Sequence, residues 1–358
     1  MENEHEQSHF AMNAGDGPLS YLQNSSYQGG TLDVARLAIE EEIETKLEFS
    51  SEQTSICIAD FGCSTGNNSF PAMHTIIEAI KRKHEFSYLK TLEFYVFFND
   101  VAANDFNTLF RSLPPSRSYG VAAVPGDFHR RLLPPSSLHF AYASWSLHWL
   151  TEAPEAAADS GTPAWNGGEI VYTRERKEVC DAYLDQFGKD VVSFLKSRVV
   201  EMVDGGLIAL LLPGAPAAWD PEKEYTMVSL VEPLRSSLVD MAMQGRVSEA
   251  KIDSFNIPYY FPTLRQLMEI IERNPSFTVE KIETINATGN YTFPSIHARI
   301  AFFRAAHEGM LAHHFGGEII DDLFDQYEKK LGASPILKNV ENDKTLVILA
   351  ILKKNIRP

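Results

Sequence analysis

Two acidic residues that follow apolar strands carry the first chemical signal in this sequence. Asp60 closes the run IAD and leads into a turn that contains Gly62 and Gly66. Glycines have no Cβ to keep a ligand from the backbone, and the amides of the helix that follows face the same point. Asp100 ends the next apolar strand, where a carboxylate can hold both hydroxyls of a ribose. The two turns together predict a nucleotide-type cofactor site.

The same glycine turn also fits another chemistry. GCSTG matches the G-x-S-x-G pattern of serine hydrolases, with Ser64 as the nucleophile. In that fold the serine follows several strands and an oxyanion loop, whereas here a single predicted helix precedes the first strand. We therefore interpret Ser64 as a loop residue whose hydroxyl caps the turn. A serine hydrolase and a non-catalytic small-molecule receptor remain alternatives from other functional classes.

Two further segments combine polar and aromatic side chains. SYLQNSSYQ, Ser20 to Gln28, precedes the first long predicted helix, and SWSLHWL, Ser144 to Leu150, ends the fourth predicted strand. Taken singly, the first is typical of a solvated N-terminal arm. The second is typical of core packing, with His148 as a satisfied polar neighbour. We find no Ser/His/Asp or Cys/His set in the sequence that would indicate nucleophilic catalysis.

Alternating strand-like and helix-like stretches must position these residues, and they predict a parallel sheet with helices on its faces. The predicted strands are Ile56 to Asp60, Phe94 to Asn99, Tyr119 to Val124, Leu138 to Ser146, Leu207 to Leu212, Phe277 to Ile285 and Thr345 to Leu352. A long helix, Glu178 to Val203, is predicted to end at Gly205 and Gly206.

Two helical excursions interrupt the late strands and predict a cap over the ligand edge of the sheet. Within them, helices are predicted at Leu264 to Arg273, stopped by Pro275, and at Glu318 to Leu331, stopped by Gly332. The predicted organisation is a core over residues 1–214, a cap over 215–275 and 294–337, and returning strands within 276–293 and 338–358.

Composition excludes several classes of partner. A formal charge of -16 and a pI of about 5.1 oppose binding to nucleic acid, which requires a basic face. The three cysteines fit neither a disulfide framework nor paired zinc ligands, which favours a reducing compartment. The acidic, polar start MENEHEQSHF is unlike a signal or transit peptide, and the apolar runs are too short to span a bilayer. We therefore predict a cytoplasmic protein that does not bind membranes.

In their order along the chain, these motifs resemble the plant SABATH methyltransferases, which use S-adenosylmethionine to methylate small carboxylic acids or xanthine alkaloids. The resemblance covers nearly the whole chain. It rests on Ser20-Tyr21 with Asn24-Ser25, ADFGCSTG, FFNDVAANDFN, FRSLPP, VPGDF, SLHWL, DSFNIPYY and HFGGEIIDDLF. It implies a Rossmann-like class I methyltransferase fold of the α/β type, with a seven-stranded, mostly parallel sheet and a helical cap, and it implies a homodimer.

The resemblance also implies roles for individual residues. Asp60 and Ser25 would contact the methionine part of S-adenosyl-L-methionine, Asp100 its ribose, and Val101 with Phe128 would flank the adenine. The full cofactor set is Tyr21, Ser25, Asp60, Gly62, Asn68, Asp100, Val101, Asp127, Phe128 and Ser144. After transfer, this site would hold S-adenosyl-L-homocysteine. Asp127 stands where a serine is usual, which leaves open whether it bonds the adenine amine or faces away.

For the substrate, Gln28 and Trp149 match the family pair that grips a carboxylate through an amide and an indole N–H. The implied acyl pocket adds Trp145, His148, Leu230, Val231 and Phe303, and an implied structural Mg²⁺ site consists of Asn166, Asp253, the Phe255 carbonyl and Asn256. Trp145 stands where a tyrosine is usual. The implied product is the methyl ester of a small plant acid. An N- or O-methyltransferase acting on a neutral heterocycle, such as a xanthine, is the nearest alternative.

Methyl transfer to a carboxylate is an in-line displacement that needs no general base, because an acid with a pKa of about 4 is already ionised at cytosolic pH. Holding the two reactants in attack geometry can lower the barrier by about 7 to 11 kcal/mol. The absence of a nucleophilic set from the sequence therefore agrees with this activity.

Overall fold

The protein is described by a computed structural model that covers residues 11–50, 52–85, 91–285, 293 and 295–356. These residues form one seven-stranded sheet in the order β3-β2-β1-β4-β5-β7-β6. The strands are β1 Ser55–Phe61, β2 Glu93–Asp100, β3 Gly120–Pro125, β4 Leu138–Ser144, β5 Met202–Gly214, β6 Phe277–Ile285 and β7 Leu346–Lys354. β7 runs antiparallel to β5 and β6, and the other pairs are parallel. The predicted seven-stranded, mostly parallel sheet is confirmed.

The strand order places the candidate cofactor residues at one edge of the sheet. From β1 the chain proceeds outward to β2 and β3, then returns to add β4 on the other side of β1. In open α/β sheets a ligand binds outside the carboxyl ends of the strands where the order reverses in this way. β4 is buried up to Ser144, as expected for a strand covered by helices on both faces.

The helices cover the sheet and build the cap. They are α1 Tyr21–Asn24, α2 Ser26–Lys46, α3 Ser69–Glu85, α4 Phe106–Arg111, α5 Glu155–Ala158, α6 Lys177–Glu201, α7 Glu232–Met243, α8 Glu249–Ser254, α9 Leu264–Ile271, α10 Ile296–Phe315 and α11 Ile320–Ala333. In the cap, α11 packs against both α7 and α10, and a 3-10 helix, Met227–Val231, precedes α7. None of the described helices has the length and apolar character needed to cross a membrane.

The segment Ser20 to Gln28 is folded, so the expectation of a solvated arm is wrong. It forms α1 and the first turn of α2, and Gln28 is only 6% exposed. α1 packs against α10, and the Asn13 amide N–H donates to the Ala305 carbonyl at 2.9 Å. Packing against the cap therefore holds this segment in place, which the local sequence does not show.

Two predicted helix ends are also wrong. α6 ends at Glu201, and Gly205 and Gly206 lie inside β5, where the register with β4 shifts between Leu138 and Phe140. Gly205 has φ +77° and lies against the Glu48 side chain. These glycines therefore allow the irregular backbone of β5 and do not end α6. Gly332 likewise lies within α11. Residues 1–10 and 286–292, which entered the localisation and domain predictions, lie outside the described residues.

Candidate active site

The turn after β1 approaches its neighbours so closely that it requires glycine. Gly62 has φ +92°, and a Cβ built on it would lie 2.3 Å from Cβ of Ser146. Its amide donates to the Asn99 carbonyl at 2.9 Å, which ties the turn to the end of β2. The ends of β1, β2 and β4 therefore converge where Gly62 leaves room for a ligand.

Asp100 braces this turn. One oxygen of its carboxylate accepts a hydrogen bond from the Ser64 amide at 2.7 Å, and the other accepts one from the Val101 amide at 2.8 Å. Ser64 has φ +47°, a conformation that a non-glycine residue adopts only when its surroundings hold it there. Each carboxylate oxygen keeps a second lone pair. Asp100 can therefore still accept hydrogen bonds from a ribose while it holds the turn.

The two carboxyl groups at this edge, those of Asp60 and Asp100, have raised pKa values. Burial raises the pKa of Asp60 from 3.8 to about 7, although the Ser69 hydroxyl lowers it and nearby Asp100 raises it further. Burial also raises the pKa of Asp100, to about 6, against its two backbone hydrogen bonds. Burial disfavours the ionised form of both carboxyls. A positively charged group of a ligand would therefore stabilise their negative charge.

The remaining cofactor candidates lie around the same cleft, with one indirect contact. Its lining includes Tyr21, Gly62, Asn68, Val101, Asp127, Phe128 and Ser144. Ser25 joins this set through its carbonyl, which accepts a hydrogen bond from Asn68 Nδ2 at 3.0 Å. The hydroxyls of Ser25 and Ser64 are both buried and have no hydrogen bond to any described residue, so each can bond to a bound molecule.

Asp127 bonds within its own loop. Its Oδ1 accepts a hydrogen bond from the backbone amide of His129 at 2.9 Å. The same oxygen lies 2.8 Å from Nδ1 of His129. This interaction gives the unusual aspartate a structural partner inside the protein. It also fixes the loop that carries Phe128 along the cleft.

A buried ion pair bonds to the loop that carries Phe128. Arg198 Nε lies 2.7 Å from Glu201 Oε2, and both side chains are 0% exposed. The guanidinium donates to the carbonyls of Phe128 and Arg130 at 3.0 and 3.1 Å, and the carboxylate accepts the Leu133 amide at 2.8 Å. Sequence reasoning missed this pair, because α6 gives no local sign of which charged residues face inward.

Trp145 stands between the cofactor cleft and a second chamber. Its indole N–H donates to the Thr31 hydroxyl at 3.2 Å, and its ring meets Tyr27 edge-on with centroids 5.6 Å apart. Its φ is +55°, unusual for so bulky a residue. Trp145 is thus anchored to α2, and its ring lines both spaces.

The second chamber is aromatic and contains the predicted carboxylate pair. It is lined by Met12, Tyr21, Gln28, Trp145, His148, Trp149, Met227, Tyr259, Phe261, Phe302, Phe303, Ala306 and His307. Neither the Gln28 side-chain amide nor the Trp149 indole N–H bonds to any other described residue, and Gln28 Oε1 is buried. Both donors are therefore available to a ligand.

The structure separates two predicted pocket residues from this chamber. Leu230 and Val231 do not line it, and Met227 from the same 3-10 helix does. Val231 instead faces another cavity, beside Arg174 and Trp219. Sequence reasoning also missed Tyr259, Phe261, Phe302 and His307. The aromatic runs PYYF and AFF carry Tyr259, Phe261 and Phe302, yet nothing in the sequence around them or around His307 indicates that they share a chamber with Trp149.

The predicted magnesium ligands are brought together in part. Asn166 Nδ2 donates to Asn256 Oδ1 at 2.9 Å and to the carbonyls of Glu169 and Val171 at 2.8 and 3.0 Å. These bonds orient the Asn166 amide and leave its Oδ1 buried with no partner in the described part of the chain, as a cation ligand would be. Asn256 Oδ1 is already used by Asn166. The amide pair therefore presents one available oxygen.

Asp253 lies close to the same loop, and Phe255 is buried at the end of α8. A Cβ on Gly168 would be 2.9 Å from Asp253 Oδ1, and the Asp253 side chain is exposed. Oxygen donors of this kind suit Mg²⁺. In the described part of the chain, no cluster of three or more His, Cys, Asp or Glu side chains could hold a metal.

The serine hydrolase alternative lacks a base. Within the described residues, the Ser64 hydroxyl has no hydrogen-bond partner that could take its proton. The fold and the site define a different class. A sheet with this strand order, a glycine turn at the reversal point and buried carboxyls beside an aromatic chamber are the features of a class I methyltransferase that binds S-adenosylmethionine.

Comparison with known proteins gives the same result. A profile of SAM dependent carboxyl methyltransferases matches residues 7–355. Loganic acid O-methyltransferase of Catharanthus roseus is 40% identical over 349 residues, 96% of this chain and 94% of the relative. Farnesoic acid carboxyl-O-methyltransferase of Arabidopsis thaliana is 39% identical over 323 residues, 90% and 92% of the two chains. Caffeine synthase 1 of Camellia crassicolumna is 35% identical over 331 residues, 88% and 89%.

A solved structure described as loganic acid methyltransferase with SAH superposes with a TM-score of 0.91 at 39% identity, covering 97% of this chain and 99% of that one. The chain belongs to the SAM dependent carboxyl methyltransferase family. It is an S-adenosylmethionine-dependent methyltransferase, and the predicted cofactor is confirmed.

Proposed function

We propose that this enzyme forms the methyl ester of a small organic acid whose carboxylate is held by Gln28 and Trp149. The observation that carries the proposal is the chamber itself, where Gln28 and Trp149, whose N–H donors have no partner among the described residues, line a largely aromatic space next to the cofactor cleft. An amide and an indole N–H can orient a carboxylate without protonating it. Such a pair sets the attack angle of one oxygen.

No side chain in this chamber is needed as a base. Burial lowers the pKa of His148 to about 3 and of His307 to about 4, so both imidazoles are neutral and weakly basic. A carboxylate nucleophile is already ionised and requires no proton transfer. Bound S-adenosylmethionine supplies the methyl group on a cationic sulfur. The protein contributes alignment and the exclusion of water by the cap.

Paired substitutions test the assignment of Gln28 and Trp149. Gln28→Leu and Trp149→Phe each remove a donor and keep much of the side-chain volume. We expect each to lower kcat/KM for the preferred acid at least about tenfold, since one hydrogen bond to a charged group contributes about 1.5 to 3 kcal/mol. Affinity for S-adenosylhomocysteine, measured by calorimetry, is expected to be unchanged. Parent-level turnover in both variants would refute the assignment.

A substrate panel separates acids from heterocycles. Incubation of the enzyme with methyl-labelled cofactor and a series of free plant acids and xanthines identifies which compounds accept the label. The similarity to enzymes named for loganic and farnesoic acids supports an acid, and the similarity to caffeine synthase 1 defines the alternative. Transfer to xanthines without transfer to any acid would favour the N-methyltransferase.

We also propose a structural Mg²⁺ held by oxygens of Asn166, Asp253 and Phe255. The cation would link the loop at Gly168 to the end of α8, and its ligands would not line the methyl-transfer chamber. Thermal unfolding with EDTA and with added Mg²⁺ tests this, with Asp253→Asn expected to abolish the Mg²⁺-dependent rise in Tm. A homodimer and a cytoplasmic location stay predictions, to be tested by light scattering and by fractionation.

A further inference from the structure

His307 lines the second chamber, called the acid chamber from here on, and is not part of the proposed carboxylate-binding pair of Gln28 and Trp149. It lies on α10 and is 5% exposed. Its ring stacks on Phe303 with centroids 3.8 Å apart and an interplanar angle of 4°, and it lies 5.4 Å from the centroid of Trp149. The stack and the helix together hold the imidazole in one orientation at the chamber wall.

The hydrogen bond on one side of this ring determines what the other side can do. Nδ1 of His307 lies 2.8 Å from the carbonyl oxygen of Phe303. A carbonyl oxygen can only accept, so Nδ1 carries the hydrogen. Burial keeps the imidazole neutral by lowering its pKa to about 4, and a neutral ring holds only one N–H. Nε2 therefore presents a lone pair.

That lone pair has no partner within the described protein. Nε2 of His307 is buried and makes no hydrogen bond. A buried acceptor without a donor costs about 1 to 3 kcal/mol, so the bound ligand is the natural source of its partner. The carboxylate of the substrate cannot serve, because an ionised carboxylate only accepts.

We propose that the acid methylated by this enzyme carries a second group with an O–H or N–H, which donates a hydrogen bond to Nε2 of His307. This inference deepens the proposed function and rests on it. His148, which lines the same chamber, also has a buried nitrogen, Nδ1, without a partner among the described residues, which favours a substrate with polar groups beyond its carboxylate. His307 is a specificity-determining residue under this proposal, distinct from the carboxylate-positioning pair.

Matched pairs of acids provide the test. Each pair differs only in the donor, for example a hydroxy acid and its deoxy analogue, or indole-3-acetic and benzofuran-3-acetic acid. We expect the parent enzyme to favour the donor-bearing member of at least one pair by about tenfold or more in kcat/KM, because the deoxy partner leaves Nε2 unsatisfied.

Three variants locate that preference. His307→Phe removes the acceptor and retains a ring that can stack on Phe303, so it is expected to abolish the preference while turnover of the deoxy member persists. His307→Gln supplies a side-chain oxygen and is expected to retain part of the preference. His297→Phe, on the same helix with a side chain 81% exposed, is the control and is expected to behave as the parent.

The outcomes separate this inference from the proposed function. If the enzyme methylates acids but treats the members of every pair alike, the inference is overturned and the esterification of acids stands. If no acid accepts the methyl group, the proposed function itself fails. Should His307→Phe not bind S-adenosylhomocysteine, the parent pairs and His307→Gln decide: equal rates within every pair refute the proposal, and a preference that His307→Gln partly retains supports it.

Discussion

The two ends of the active-site cleft are built by different means. At the cofactor end, the turns after β1 and β2 bond to each other, as when Asp100 accepts the amides of Ser64 and Val101. At the acid end, α2, the end of β4, the 3-10 helix and α10 contribute side chains that are far apart in sequence. Several polar atoms there, including those of Gln28, His148 and His307, have no partner among the residues that the structure describes.

This difference indicates that the cofactor end and the acid end of the cleft have different roles. The cofactor end is held together by backbone hydrogen bonds between its two turns and binds the same cofactor in every reaction, so damage there should affect all substrates equally. The acid end leaves its polar atoms to be satisfied by a particular ligand. Substitutions there should change which acid is used more than whether the cofactor binds.

The largest effect is expected beneath the cofactor end. Glu201→Gln leaves the buried guanidinium of Arg198 without its counter-charge, which typically costs about 3 to 5 kcal/mol of unfolding free energy. Urea unfolding measures this loss, and affinity for S-adenosylhomocysteine should fall because the pair holds the loop of Phe128. Asp181→Asn, in an exposed pair with Lys177, is the control and should change stability by at most about 1 kcal/mol. Equal losses in both variants would contradict this role.

The next largest effect is expected at the turn itself. Gly62→Ala combines a left-handed backbone with a collision against Ser146, which together should cost about 3 kcal/mol and weaken cofactor binding. Gly245→Ala is a matched control, because Gly245 has φ +72° and open space around it. That variant isolates the backbone contribution, about 1 kcal/mol, and should bind the cofactor normally. Selectivity among acids should be the same in both variants.

A smaller effect concerns pH. Because the folded pKa values of Asp60 and Asp100, about 7 and about 6, lie above 3.8, the ligand-free protein should lose stability as pH rises from about 4 to about 7. The ammonium group of the cofactor favours the ionised carboxyls. Affinity for S-adenosylhomocysteine should therefore rise several-fold between pH 5 and 8, about tenfold per unit at most for one group.

Calorimetry in buffers of different ionisation enthalpy should detect protons released on binding. Asp60→Asn should flatten the pH profile while leaving acid selectivity unchanged. An affinity that is independent of pH in the parent would show that the cofactor does not draw on these carboxyls.

The smallest effect distinguishes two residues of one short helix. Met227→Ala enlarges the acid chamber and should raise KM for the preferred acid several-fold, whereas Val231→Ala should leave it within about twofold of the parent value. Steady-state kinetics with a single acid suffice. A larger effect of Val231→Ala would restore the pocket role that the family resemblance implied and would show that the chamber extends further into the cap.

The predictions that were correct from sequence concern features that are local in the chain. The turns after β1 and β2 follow apolar runs, and strand-like stretches alternate with helix-like ones, so the seven strands, the glycine turn and Asp60 with Asp100 could be recognised within short windows. Helix ends were less well predicted. Gly205 and Gly332 are absorbed into β5 and α11, because irregular pairing and helix packing outweigh the local preference for ending a helix at glycine.

By itself, the sequence determined the α/β sheet, the acidic cofactor edge and, through its ordered motifs, the methyltransferase family. Only the tertiary structure decided that Met227 lines the acid chamber while Leu230 and Val231 do not, that Arg198 and Glu201 pair beneath the loop of Phe128, and that His307 meets Trp149. The physical reason is distance along the chain. Which faces of α6 and α10 turn inward depends on packing against segments distant in the chain, such as the loop of Phe128, 70 residues from Arg198, and short-range patterns do not carry that information.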